Sequence, residues 1–343
     1  MPQTHLSHIQ KNRHILKARS HIIRTIREFF WQQDLLEVET PQLLSVPGQE
    51  PYLSPMKLTI HDDRKISHDA YLHTSPEYTM KKMLAAGCGN IFTICKTFRN
   101  HESFGGTHNP EFTMIEWYRV DATMYDLMDD VEQLCNELHA ALKKLETGNR
   151  KPESRVQRPA SSFQRVSMKD VWQQTINVNL DNHLTQPAIY KLCKERGYDV
   201  SDDESYEDLF YRIFLNEIEP QVSNLQSLII YNYPAPMAAL AKLSEKHPGY
   251  AERFEVYVNG MEIANAFTEL TDADEQLKRL KEEQVLRKKL GKDVFDIDMN
   301  FVDAVGKMPA CAGIALGVDR LVQVLLDVED IDDVLVLPMS KMF

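Results

Sequence analysis

The chain has 343 residues, 43% of them hydrophobic and 26% charged, with a formal net charge of −12, which suits a folded protein with ample core. An acidic surface repels polyanions on average, so a large RNA is a poor first expectation for its partner. Membrane and secretory classes are disfavoured by the lack of a run near 18 apolar residues and by a polar, His-rich start, and five cysteines without a C-x-x-C pair favour reduced thiols in the cytoplasm over disulfides or zinc.

In chain order, Ile15, Ile22, Ile26 and Phe29 recur at helical spacing and predict an amphipathic helix over 11–33. Leu36 to Pro41 alternates like a strand and stops at proline. Strands are expected at 90–99 and 111–120 around a polar loop at 100–110, and a helix over 122–146. The stretch 146–165 is rich in Gly, Pro, Ser and Arg and reads as a linker. Short helical patterns at Pro187 to Gly197 and Tyr206 to Ile218 suggest a helical insertion at about 166–225. Asn259-Gly260 between alternating runs signals a two-residue hairpin. Residues 271–291 predict a charged helix whose Glu and Lys clusters read as a solvated face. No internal repeat is present.

Strand periodicity places candidate chemistry on particular faces. Thr93, Cys95, Thr97 and Arg99 share one side of the first strand, and Phe112, Met114, Glu116 and Tyr118 one side of the second. An arginine, a carboxylate and a phenol on one hairpin can hold a phosphate at one end and an ammonium at the other. In the hairpin 253–270 the turn pairs Val258 with Met261, Tyr257 with Glu262 and Glu255 with Ala264. Glu255 and Glu262 then become diagonal neighbours about 7–8 Å apart, a spacing that can share Mg²⁺ bridging triphosphate oxygens. Gly313 and Gly317 read as places where the backbone passes close to a flat ligand, just before Arg320 in the first turn of a helix.

Two segments carry a family resemblance: Phe98-Arg99-Asn100-His101-Glu102 leading into His108-Asn109-Pro110-Glu111-Phe112, and Gly313-Ile314-Ala315-Leu316-Gly317-Val318-Asp319-Arg320. They resemble motifs 2 and 3 of the class II aminoacyl-tRNA synthetases. The helix and strand over 11–41 resemble motif 1, the dimer interface of those enzymes. Thr74-Ser75-Pro76-Glu77 and Asn109 to Glu116 are similar to the lysyl branch. The resemblance covers roughly residues 10–343, most closely the elongation factor P–(R)-β-lysine ligase family, freestanding paralogues of the lysyl-tRNA synthetase catalytic domain. It implies an α+β fold, a class II antiparallel sheet flanked by helices in a single catalytic domain. No anticodon-binding domain, on the order of 100 residues, is expected before Leu16.

The same resemblance implies roles for residues. Arg99 grips the α-phosphate, His108 reaches the outer phosphates, and Phe112 and Arg320 sandwich the adenine. Asn109, Glu262, Ile263 and Gly317 complete the ATP site, with Glu255 and Glu262 as Mg²⁺ ligands. Family members normally read Arg-x-Glu, whereas His101 stands at that place here. Either Glu102, the preferred choice, or His101 reads the adenine. Ser75, Pro76, Glu77, Glu116, Tyr118, Asn265, Glu269 and Ala315 would bind the amino acid, Ala315 standing where lysyl synthetases carry glycine. Regular pleating would put Asn265 and Glu269 on the face opposite Glu262, so a β-bulge between Ile263 and Asn265 is expected.

Glu77, Glu116 and Glu269 would place three carboxylates around one pocket. Buried carboxylates need cationic partners, and a diamino acid supplies two; no Lys or Arg stands at these positions to suit an acidic substrate. The implied reaction is ATP-dependent activation of (R)-β-lysine and transfer to a lysine of elongation factor P by a homodimer that does not use tRNA. A truncated synthetase charging tRNA or a small amine, and a catalytically silent regulator with the same fold, remain alternatives.

Overall fold

A computed structural model describes residues 4–147 and 163–343. The long helix α1 (His5–Gln32) is capped by Thr4, whose hydroxyl accepts from the Ser7 N–H, and buries Ile15, Ile22, Ile26, Phe29 and Phe30. It leads into the short β1 (Leu36–Glu37), after which the Val38 N–H adds one more bond to the Phe92 carbonyl at 2.8 Å. A small sheet follows, made of β2 (Leu43–Leu44), β3 (Met56–His61) and β4 (Ser67–Leu72). Next come α2 (Glu77–Ala85), β5 (Ile91–Phe98), β6 (Glu111–Val120) and α3 (Met124–Thr147). The expected linker falls largely at 148–162, outside the described residues.

After β7 (Gln164–Ser167) the chain forms α4 (Met168–Ile176), α5 (Gln186–Glu195), α6 (Tyr206–Ile213) and α7 (Glu219–Val222) before β8 (Ser227–Pro234). A capping box between Ser205 and Asp208 starts α6, satisfying two N-terminal donors reciprocally. These helices share a core of Met168, Trp172, Leu209, Phe210 and Phe214 against Leu228 and Ile230 of β8. The remaining elements are β9 (Tyr250–Val258), β10 (Met261–Thr268), α8 (Ala273–Lys289), α9 (Met299–Val305), β11 (Cys311–Gly317) and α10 (Val318–Leu325).

The main sheet runs β1-β5-β6-β11-β10-β9-β8-β7. Its centre is antiparallel as expected, but the edge pairs β1–β5 and β7–β8 are parallel. One face packs against α1 and α3 through Phe92, Ile115, Trp117, Phe254, Val256, Ala266, Ile314 and Leu316. Because side chains alternate along a strand, Glu116, Tyr118, Arg253, Asn265, Gly313 and Ala315 turn to the other face, where the cavity lies. Asp319 ties the layers together, accepting from Arg19 of α1 at 2.5 Å and from the Thr113 N–H of β6 at 2.7 Å.

The hairpin turn has positive φ at both Asn259 (50°) and Gly260 (75°), the geometry a two-residue turn needs to match strand twist. Met261 pairs with Val258 and Glu262 with Tyr257, but Ala264 pairs with Val256. Ile263 is therefore the extra residue of a bulge. The irregularity lies one residue earlier than expected, and Glu255 faces Asn265 rather than Ala264. The slip restores parity, so Glu262, Asn265, Phe267 and Glu269 all line one cavity.

Candidate active site

The cavity has a volume of about 690 Å³ and is floored by β6, β11 and β10. At one end stand Arg99, Glu102, His108, Phe112, Glu262, Gly317 and Arg320, and at the other Ser75, Glu77, Glu116, Tyr118, Asn265, Glu269 and Ala315. Pro76, an expected member, does not line the cavity. Pro76 is buried as the N-cap of α2, so it shapes the helix start rather than touching a ligand. Asn109 reaches the cavity wall, but its amide donates to the Glu111 carbonyl at 2.6 Å and accepts from the Met339 N–H at 2.9 Å. Its side-chain polar atoms brace the loop and the C-terminal segment.

At the first end, the Arg99 guanidinium sits 5.1 Å from the Phe112 ring centroid, and its buried Nε has no hydrogen-bond partner. An unpaired buried donor of this kind suits an anion. Arg320 is held by the carbonyls of Thr107 (3.1 Å) and Glu262 (3.0 Å) and by His108 Nε2 (2.8 Å). Burial first, then the charge of Arg320, lowers the His108 pKa, so a neutral imidazole accepts that last bond. Glu102 lines the cavity while His101, at φ 63°, is exposed. Of the two adenine-reading candidates the fold therefore turns Glu102 inward.

Glu262 faces the cavity and is 44% exposed there. Burial against the cavity walls, then the charge of neighbouring Glu255, pushes its carboxyl up. Glu255 departs from its expected role. Its Oε1 accepts from Arg253 at 2.7 Å, and its Oε2 accepts from the hydroxyls of Tyr233 and Tyr257, both at 2.6 Å. Satisfied on both oxygens and absent from the cavity wall, it is not poised as a metal ligand. Among the described residues no three His, Cys, Asp or Glu side chains converge on a metal position.

At the second end, Glu116 accepts from Ser75 at 2.5 Å and from the Tyr118 hydroxyl at 3.2 Å. Burial, then the charge of Glu77, raises its pKa to about 8. Burial likewise raises Glu269 to about 7. The pocket also holds a cation that the sequence reading overlooked. Lys81 Nζ lies 2.6 Å from Glu77 Oε1 and 2.7 Å from Glu269 Oε2. Its i,i+4 spacing from Glu77 was visible, but such pairs ordinarily sit on solvated helix faces.

Asn265 accepts from Arg253 Nε at 3.0 Å, which leaves its NH₂ as the group to offer a ligand. Ala315 pairs with both Glu116 and Asn265 across the sheet, so its methyl forms the floor between them. Gly313 does face a flat group at close range, but that group is the protein's own Tyr118 ring. At Gly317 an added Cβ would meet only ordinary contacts near 3.9 Å. The charged helix α8 is not wholly solvated either: Glu275, Arg279 and Glu283 line the cavity and Arg287 is buried.

The family model for tRNA synthetases class II (D, K and N) matches residues 4–341. The chain is 40% identical over 324 residues to an elongation factor P–(R)-β-lysine ligase of Mannheimia succiniciproducens, covering 93% of each chain. It is 36% identical to the ligase of that name from Yersinia enterocolitica, over 95% of each, and 38% identical to that of Histophilus somni, over 93% of each. The chain belongs to the class II tRNA synthetase family.

Proposed function

We propose that this class II family member is an ATP-dependent ligase that activates (R)-β-lysine and joins it to a lysine side chain of elongation factor P. The observation that carries this reading is one cavity that sets an unpartnered arginine donor over an aromatic ring at one end and three carboxylates at the other. The first end suits a nucleotide and the second an amino acid bearing ammonium groups. The names of the ligases that the chain resembles supply the acceptor and the isomer.

In the first step the amino-acid carboxylate attacks the α-phosphorus of ATP and pyrophosphate leaves. Arg99 and Arg320 stabilise charge on the transferring phosphoryl group, and the catalysis is positioning plus electrostatics. In the second, the acceptor ε-amine attacks the adenylate carbonyl and AMP departs, with no covalent enzyme intermediate. Glu116 and Tyr118 hold the side-chain end of the substrate, and the Asn265 NH₂ orients its carboxyl end. Glu262 would hold Mg²⁺, since one carboxylate with phosphate oxygens is a normal Mg²⁺ environment; Glu255 does not fit that role. Bound there, the ion would neutralise triphosphate charge.

The acidic net charge of −12 argues against tRNA as acceptor. Among the described residues no helix is long and apolar enough to cross a membrane. Radiolabelled (R)-β-lysine and α-lysine, offered separately with elongation factor P and with tRNA, test the reading. Label from (R)-β-lysine is expected in the protein; label transferred to tRNA instead would overturn it.

A further inference from the structure

Lys81 is 1% exposed, a burial that an ammonium tolerates only with partners. Met80 and Leu84 beside it on α2 are core residues, so the backbone carrying Lys81 is fixed. Its two partners, Glu77 and Glu269, come from different elements, and both line the amino-acid end of the cavity. Glu269 is itself confined, since its Oε1 lies 2.5 Å from where a Cβ on Gly313 would stand. Glu116 completes the set and makes no ion pair among the described residues. When all are ionised, three carboxylates and one ammonium leave two negative charges.

We propose that Lys81 is a specificity-determining residue, which cancels one carboxylate charge so that the remaining two match the two ammonium groups of a diamino acid. It acts through Glu77 and Glu269, as a positioning residue behind the cavity wall. Without it, those two carboxylates would face each other across the vacated site. One of them would take up a proton or turn away, since like charges at such range cannot both stay ionised. A buried pair kept for stability alone would need one carboxylate, and replacing it by apolar side chains is often neutral.

This inference rests on the lysine-type reading above, and a mutant cycle separates the two. KM and kcat for (R)-β-lysine would be measured by ATP–pyrophosphate exchange in the wild-type chain, Lys81→Met, Glu269→Gln and the double variant. Each single change is expected to raise KM by at least about tenfold with kcat within about threefold, the pattern of lost substrate binding. The double variant restores two net negative charges, so its KM should fall below that of either single variant. Additive effects, or an unchanged KM in Lys81→Met, would overturn the role of Lys81 while leaving the function intact. Should Lys81→Met fail to fold, Glu269→Gln against the double variant decides: a lower KM in the double variant supports the proposal, and an equal or higher KM, or an unfolded double variant, overturns it. A wild-type chain that activates no diamino acid would overturn the function and this inference together.

Discussion

The ring of Tyr118 lies so close over Gly313 that an added Cβ there would stand 2.2 Å from Cε1. Gly313 is thus the reason Tyr118 can reach Glu116 with its hydroxyl. Gly313→Ala should displace the ring, weaken that hydrogen bond and disturb Glu269 beside it. Overpacking of this kind costs about 1–3 kcal/mol. Denaturant titration should show a loss in that range, and pyrophosphate exchange a raised KM for the amino acid. A variant with wild-type stability and KM would mean the ring moves aside freely.

Arg99→Ala and Arg320→Ala should each slow adenylate formation by at least about a hundredfold, the scale of removing one preorganised charge stabiliser. Arg320 also ties Thr107, Glu262 and His108 together, so its loss should loosen the 100–110 loop more than the loss of Arg99. Single-turnover AMP formation reads the chemistry and hydrogen exchange reads the loop. Near-normal turnover in either variant would show that this arginine is not a stabiliser of the transferring phosphoryl group.

Glu116, raised to about 8 from an ordinary 4.5, makes two signed predictions. A carboxyl whose folded pKa is raised contributes stability below its unfolded pKa and loses it as pH rises through the folded value. The free protein should therefore lose stability between about pH 4.5 and 8 from this group, with Glu269 at about 7 acting the same way. Amino-acid binding should move oppositely, because an ammonium pairs with the ionised form. KM for the diamino acid should fall by about tenfold from pH 6.5 to 8, and Glu116→Gln should flatten that profile. A flat wild-type profile would show that Glu116 is already ionised in the free pocket.

We expect a homodimer through about residues 15–45, as in the family's motif 1. Leu16, Ile23 and Trp31 of α1 border a groove with Val336, Leu337 and Met342, and Trp31 and Val336 are each about half exposed. Light scattering at micromolar concentration should report about twice the chain mass of 39.6 kDa. A monomer would contradict it.

What the sequence determined by itself were features set by local rules. The two-residue turn at Asn259-Gly260, the alternation that lines Glu116 and Tyr118 on one face, and the helix starting just before Arg320 follow from backbone preferences and a two-residue period. Parity, once the family resemblance assigned both residues to one site, also called for a slip near Ile263, since Glu262 and Glu269 differ by an odd number. Tertiary structure decided whatever depended on partners distant in sequence. Lys81 went unremarked in the sequence because Glu269, 188 positions away, could not be placed beside it. Glu255 read as a metal ligand because nothing local shows Arg253, Tyr233 and Tyr257 closing around its oxygens. Charge type is written in the sequence, but whether a charge is free or already satisfied depends on which strands and helices meet around it.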